Sequence, residues 1–299
     1  MSNYEAMYYE STSQGFLRCM LCPHYCEIQQ AFSGKCGVRK NYSGKLIADS
    51  FAKVNGIALD PIEKKPLHFF HPGAKILSVG TFGCNLNCPF CQNFRSVRQH
   101  LSADESAFAG IGGSSLFDII QPAELAALAK KHIVDGNIGI AYTYNEPIVG
   151  YEYVYECAKL VSSAGLKNIL VTNGFINTEP LRELLRFVDA MNIDLKGFSQ
   201  DFYNKLDGEL EAVKKAITIA ADNCHVEVTI LVIPDENEHD IEEAAKWIAS
   251  VNPEIPLHLS RFFPRYKYTN HVPTPLETLQ ESAEKARKYL KNVVLGNVR

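Results

Sequence analysis

The chain has 299 residues, of which 46% are apolar and 21% charged, and its 30 Lys and Arg against 34 Asp and Glu leave a net charge of −4. This composition excludes a disordered or collagen-like chain, and the near-neutral balance gives no electrostatic case for nucleic acid or an anionic membrane as partner. Nine cysteines are the unusual count, seven of them in the first 91 residues. No apolar run reaches the roughly 18 residues of a transmembrane helix, and the segment before Arg18 carries Glu5 and Glu10 where a secretory leader carries Lys or Arg. The expected location is cytoplasmic, where clustered cysteines act as metal ligands or catalytic thiols before they form disulfides.

In chain order the first feature is Cys19, Cys22, Cys26 and then Cys36, four thiols separated by two, three and nine residues. Zinc or a second iron–sulfur cluster fits this set equally, with His24 as a substitute ligand, and either would staple a segment too small to bury its own core. Residues 1–74 lack a strand–helix rhythm and are expected to form a small Cys-rich N-terminal domain. Toward its end, Asp60 to Pro66 reads as an irregular connector, and Lys64, Lys65, His68 and His71 read as solvated basic residues rather than as holding a substrate's anionic group.

From residue 75 onward, short β-branched or apolar runs alternate with helical patterns. Strands are expected at 75–83, 139–145, 167–174, 190–197, 225–233 and 256–263, and their apolar character suits strands covered on both faces. The stretch 102–115 is small, polar and glycine-rich, and reads as a mobile surface insertion rather than an active-site lid. Pro122 and Gly136 bracket a first helix; Val154, Ala158 and Val161 mark a second, and Leu181, Leu184, Leu185 and Val188 a third. Asp240 with Glu243, and Thr274-Pro275 with Glu277, predict capped starts for two more. Cys157 and Cys224 are expected to be buried small hydrophobes.

Strand–helix units in series require a parallel sheet, and six units are fewer than the eight of a closed barrel. The expected fold class is α/β: a partial (β/α)6 TIM-like barrel over 75–299, or a doubly wound sheet. Either places the active site at the C-terminal strand ends.

Cys84, Cys88 and Cys91 follow the first of these strands in a Cys-x3-Cys-x2-Cys loop. A [4Fe–4S] cube takes one thiolate per iron, so three thiolates leave the fourth iron open to another ligand. Zinc with three thiolates and a water, or three free thiols, are the competing readings of the spacing alone.

With Phe90 ahead of its third cysteine, this loop resembles that of the radical S-adenosylmethionine (SAM) superfamily, whose partial barrel matches the strand–helix series. The resemblance implies that SAM chelates the open iron through its amino and carboxylate groups. One electron from the cluster then cleaves it to methionine and a 5′-deoxyadenosyl radical, which abstracts a substrate hydrogen. Tyr144-Asn145-Glu146-Pro147 looks like the family's Gly-Gly-Glu segment, with Glu146 accepting from the SAM ammonium and Tyr144 and Asn145 replacing the glycines. Thr172-Asn173-Gly174 and Asp194-Leu195-Lys196 resemble the SAM-contacting strand ends of pyruvate formate-lyase activating enzymes, and Phe90 matches the aromatic position near the adenine. Two positions depart from the glycyl-radical activases: Val171 stands where they carry Asp before the Thr-Asn-Gly, and Thr229 near where they carry Arg.

Over nearly the whole chain, Cys19-x2-Cys22-Pro23-His24, Gly34-Lys35-Cys36-Gly37, Asp60-Pro61-Ile62-Glu63-Lys64-Lys65-Pro66 and Ala141-Tyr142-Thr143-Tyr144 look like the radical SAM member of the AmmeMemoRadiSam group. That resemblance implies an enzyme acting on an unidentified substrate, whether peptide, protein or small molecule, with an electron donor such as flavodoxin or ferredoxin. A glycyl-radical activase is the alternative, and a zinc-stabilised scaffold protein an alternative of another class.

Overall fold

The computed structural model describes residues 4–12, 15–98 and 117–298; the predicted insertion at 102–115 lies outside the described residues. An eight-stranded sheet organises the chain. Seven of its strands run parallel in chain order: Lys75–Gly80, Asn137–Tyr142, Lys167–Thr172, Ala190–Asp194, His225–Val232, Leu257–Arg261 and Val293–Gly296. Because every neighbour in sequence is also a neighbour in the sheet, each crossover turns the same way and the connecting helices gather on one side. A doubly wound sheet reverses its strand order at a switch point. This order never reverses, so the architecture is the open, partial α/β barrel.

All six predicted strands are present, and each stops one to three residues before its predicted C-terminal end. The apolar character continues past the last ladder bond, but the backbone there has turned to build the site. Two strands of this sheet were not anticipated. Val293–Gly296 extends the parallel order, and Gly56–Pro61 pairs antiparallel with Lys75–Gly80. The second places Asp60 and Pro61 inside the sheet instead of in an irregular connector, and the boundary expected at residue 74 falls between the two arms of this pair.

The segment after it corrects a further expectation. Ile62–Lys64 forms a 3-10 turn, and Lys65 is buried, its Nζ 2.9 Å from Asp60 Oδ2 and 4.8 Å from the Tyr144 ring centroid. Lys64 reaches the other Asp60 oxygen from an exposed position, and the His68 ring packs edge-on against buried His258. Of the four residues expected to be solvated, Lys64 and His71 are exposed.

Pro122 opens its helix behind Gln121 and Glu124, which form a capping box, and Gly136 ends the following 3-10 turn at φ 89°. The other two predicted caps are overridden by tertiary bonds. Asp240 accepts from the Phe198 N–H at 2.9 Å, whereas Thr274 donates to the Val232 carbonyl and accepts from the Phe262 N–H. The helices Ile241–Val251 and Leu276–Arg287 therefore start without a side-chain cap. Helices Gln200–Lys205 and Leu210–Ala221 fill the crossover for which no pattern was assigned.

The N-terminal segment adds a three-stranded antiparallel sheet, Tyr9–Ser11, Leu17–Cys19 and Glu27–Ile28, and the hairpin Arg39–Tyr42 with Lys45–Ala48. Ser43 and Gly44 turn that hairpin with both φ angles positive, as a two-residue loop of matching twist requires. A fully buried ion pair docks the segment on the barrel: Arg39 Nη1 lies 2.9 and 3.0 Å from the two carboxylate oxygens of Glu152, on helix Tyr151–Ser163. Removing either partner would strand the other charge away from water. Cys157 lies in the main core, as expected; Cys224 is only part-buried at its margin.

Candidate functional site

A cleft of about 390 Å³ opens where the parallel strands end, and the loops following them supply its walls. Cys84, Cys88 and Cys91, with Phe90 between them, come from the loop after Lys75–Gly80. Tyr144, Asn145 and Glu146 follow the next strand, Thr172 and Asn173 close the third, and Asp194 and Lys196 the fourth. All eleven residues singled out by the sequence line this one cleft.

Glu146 is its most connected carboxylate. Oε1 accepts from the Thr172 hydroxyl at 2.6 Å and the Ile148 N–H at 3.1 Å, and Oε2 accepts from the Asn173 N–H at 2.7 Å. Burial nonetheless pushes its pKa up to about 7, against these donors and the Lys196 charge. Lys196 lies 2.7 Å from Asp194 Oδ2. Burial alone would lower the Lys196 pKa, but the charge of Asp194 carries it above the ordinary lysine value.

The cysteine loop is braced from below. Asn145 Nδ2 lies within 3.1–3.3 Å of four acceptors, Thr81 Oγ1 and the carbonyls of Phe82, Gly83 and Glu146, and its Oδ1 accepts from the Thr81 N–H. Its amide thus holds the backbone leading into Cys84. Tyr144, at φ 70°, sends its hydroxyl to Asp60 at 2.9 Å. Its ring occupies the space that a Cβ on Gly80 would need. Phe90 stacks with Phe202 and leans on Tyr268.

Burial pushes the Cys84 thiol well above its ordinary value and the Cys88 thiol up to about 11, so both are protonated until a cation stabilises the thiolate. Donors to sulfur are already in place: the Leu86 N–H lies 3.4 Å and the Asn173 amide 3.7 Å from Cys84 Sγ. Among the described residues no group of three or more His, Cys, Asp or Glu is arranged to hold one metal ion. A cubane makes a different demand, one thiolate on each of its irons, and a loop of three thiols with N–H donors at one sulfur fits that donor chemistry.

Sequence reasoning missed several lining residues. Lys65, Val171, Thr229, Ser260 and Asn297 face the same cleft, and Asn93 donates to the Tyr144 carbonyl at 2.8 Å. Asn297 follows the unanticipated last strand. Val171 and Thr229 had been noted only as departures from the activase pattern. Cys19, Cys22, Cys26, Cys36 and His24 meet elsewhere, around a separate chamber.

A model of the radical SAM superfamily matches residues 78–248, more than half of the chain. The uncharacterized protein MJ0808 of Methanocaldococcus jannaschii is 39% identical over 301 residues, covering 98% of this chain and 85% of that protein. MJ1227 of the same organism, provisionally named a glycyl-radical enzyme activating enzyme, is 25% identical over 231 residues, 73% of this chain and 87% of its own length. Among solved structures, SuiB of Streptococcus suis bound to S-adenosylmethionine superposes with a TM-score of 0.51 at 12% identity, over 74% of this chain and 51% of that one. The three-cysteine loop, the strand ends around it and these similarities lead to one conclusion: the chain belongs to the radical SAM superfamily.

Proposed function

We propose that Cys84, Cys88 and Cys91 hold three irons of a [4Fe–4S] cluster in this cleft and that SAM occupies the space between them and Glu146. The observation that carries this reading is the convergence of eleven residues from four successive strand ends on one cleft. The bound cluster and SAM would supply one-electron cleavage of SAM to a 5′-deoxyadenosyl radical able to abstract hydrogen. The chain's own part is positioning and charge. Glu146, fixed by Thr172, Asn173 and Ile148, offers a carboxylate to the SAM ammonium; Asp194 and Lys196 present one anionic and one cationic group to the nucleoside; Phe90 gives the adenine an apolar face. Donor N–H groups at Cys84 favour its thiolate.

Within the superfamily we assign the AmmeMemoRadiSam type, on motifs that run from Cys19 to Pro147. Similarity to MJ1227 supports a glycyl-radical activase as the second reading, but Val171 and Thr229 line the cleft where activases carry Asp and Arg. The electron comes from a donor of the flavodoxin or ferredoxin kind. The location proposed is the cytoplasm, in which such donors work; among the described residues no helix is long and apolar enough to cross a membrane. Anaerobic reconstitution with iron and sulfide, then dithionite and SAM, should release 5′-deoxyadenosine. A fully iron-loaded protein that releases none overturns the assignment. An electron paramagnetic resonance signal of a glycyl radical, raised by this enzyme in a partner protein, would transfer it to the second reading.

A further inference from the structure

The second cysteine group walls a chamber of about 10 Å³ between the N-terminal strands and the barrel, where His24, Arg39 and Asn85 are the polar residues that line it beside Cys19, Cys22, Cys26 and Cys36. Arg39 supplies the observation that points to an occupant. Its Nη1 is bound by Glu152 and its Nη2 by the Met7 carbonyl, yet its Nε is buried with no acceptor. A buried guanidinium N–H without a partner is costly, and here it belongs to a residue of the chamber wall, beside four groups that become anionic only as thiolates.

We propose that Cys19, Cys22, Cys26 and Cys36 form a second metal centre, binding a single thiophilic dication of the zinc class, with Arg39 Nε donating to the resulting tetrathiolate. Each thiol releases its proton to solvent as its sulfur binds, and four thiolates on a dication leave a net charge of about −2, toward which Arg39 turns its one free N–H, its own charge being paired with Glu152. The volume suits one ion, being close to that of a single water-sized probe, and does not suit a cubane. His24 also lines the chamber; its Nε2 lies 2.7 Å from the Asn85 carbonyl oxygen, which leaves Nδ1 as the ring nitrogen that could take the place of one thiolate. The four thiols ring the chamber without converging on one bonding point, so binding draws them inward. The part-buried Cys22 and Cys26, on one turn, have the most freedom to move.

This centre would sit directly behind the catalytic loop. Gly83 packs against the Cys36 carbonyl and Val38, and Asn85 contacts His24, so the residues on either side of Cys84 rest on the chamber. The test uses the full chain carrying Cys84→Ala, Cys88→Ala and Cys91→Ala, purified without oxygen, so that its outcome does not depend on the cluster assignment. Elemental analysis should find about one zinc per chain and no acid-labile sulfide, and adding Cys36→Ser should remove it. Should that variant fold poorly, cobalt(II) titrated into the chelator-treated triple variant should give a thiolate charge-transfer band saturating near one equivalent. No retained metal together with no cobalt band overturns the centre; iron with labile sulfide in the triple variant overturns the single-ion assignment.

Discussion

Thr172 donates its hydroxyl to Glu146 across 2.6 Å, and the same hydroxyl accepts from the Gly174 N–H at 3.1 Å. The strand end that follows Lys167–Thr172 thus orients the carboxylate that follows Asn137–Tyr142, and neither loop places Glu146 alone. Replacing it with Gln keeps the shape but removes the charge assigned to the SAM ammonium. A hydrogen bond to a charged group contributes about 1.5–3 kcal/mol, so Glu146→Gln should weaken SAM binding roughly 10- to 100-fold. Equilibrium dialysis of the anaerobic enzyme measures this, and an unchanged dissociation constant would remove Glu146 from the SAM site.

The same group makes affinity and stability respond to pH in opposite directions. Its pKa is raised from 4.5 to about 7 by burial, so the folded chain holds this proton more tightly than the unfolded chain. Its contribution to stability is complete below the unfolded value and is lost as pH rises through about 7. SAM affinity should do the reverse, climbing as the carboxylate forms. The melting temperature without SAM should fall from about pH 4.5 to 7 and level off above that, while SAM affinity rises through about pH 7 as the carboxylate forms. Glu146→Gln should flatten both profiles, and a variant that retained both slopes would assign the titration to another group.

Gly83 and Gly44 both have positive φ, 92° and 76°, but a Cβ would meet very different surroundings. At Gly44 nothing lies within 4 Å; at Gly83 the Cβ would fall 2.7 Å from Val38 Cγ1 and 2.9 Å from the Cys36 carbonyl oxygen. Gly44→Ala should cost about 1 kcal/mol of backbone strain and leave iron uptake intact. Gly83→Ala adds an overpacking cost of about 1–3 kcal/mol, relieved only by moving the chain next to Cys84. Parallel melting curves and iron analyses compare them, and equal iron uptake by the two variants would show that the contact does not hold the cysteine loop.

Much of this site was legible because its signals are local. Three thiols at fixed spacing, and polar residues just beyond apolar runs, can be read without knowing what they touch. The same rule explains the overlong strands: Thr143 and Asn173 continue an apolar run in sequence but leave the ladder to reach the cleft. What escaped depends on distant partners. Gly56–Pro61 carries Ile57, Ala58 and Leu59, but its Asp60-Pro61 end has the local character of a connector, and it is completed as a strand because Lys75–Gly80 offers an edge. Thr274 has the local chemistry of a helix cap, but the Val232 carbonyl, 42 residues away, takes its hydroxyl. Asn145 stands where the family carries glycine, and nothing local indicates that its amide braces four preceding and neighbouring groups.

Glu227 shows a further long-range effect, one that bears on acid stability. Buried on strand His225–Val232, its carboxylate accepts the N–H groups of His68 and Phe69 at 3.0 and 2.8 Å, and lies 2.9 Å from His225 Nε2 and 2.6 Å from His258 Nε2. These four contacts pin the segment that returns from the antiparallel edge strand beneath the barrel. Burial alone would raise its pKa, but His225, His258 and the two backbone donors together lower it to about 2. A depressed carboxylate contributes stability that is complete above the unfolded value and is lost as pH falls through the folded one. Unfolding free energy should therefore drop by on the order of 2 kcal/mol between about pH 4.5 and 2 from this residue alone, after allowance for screening. Glu227→Gln should lower stability at neutral pH by about 3 kcal/mol, because the buried donors lose an ionised acceptor, and should blunt the acid transition. Urea denaturation at stepped pH values resolves both effects, and a variant whose acid profile matched the parent's would place the sensitive carboxylate elsewhere, with Asp60 between Lys64 and Lys65 the next to examine.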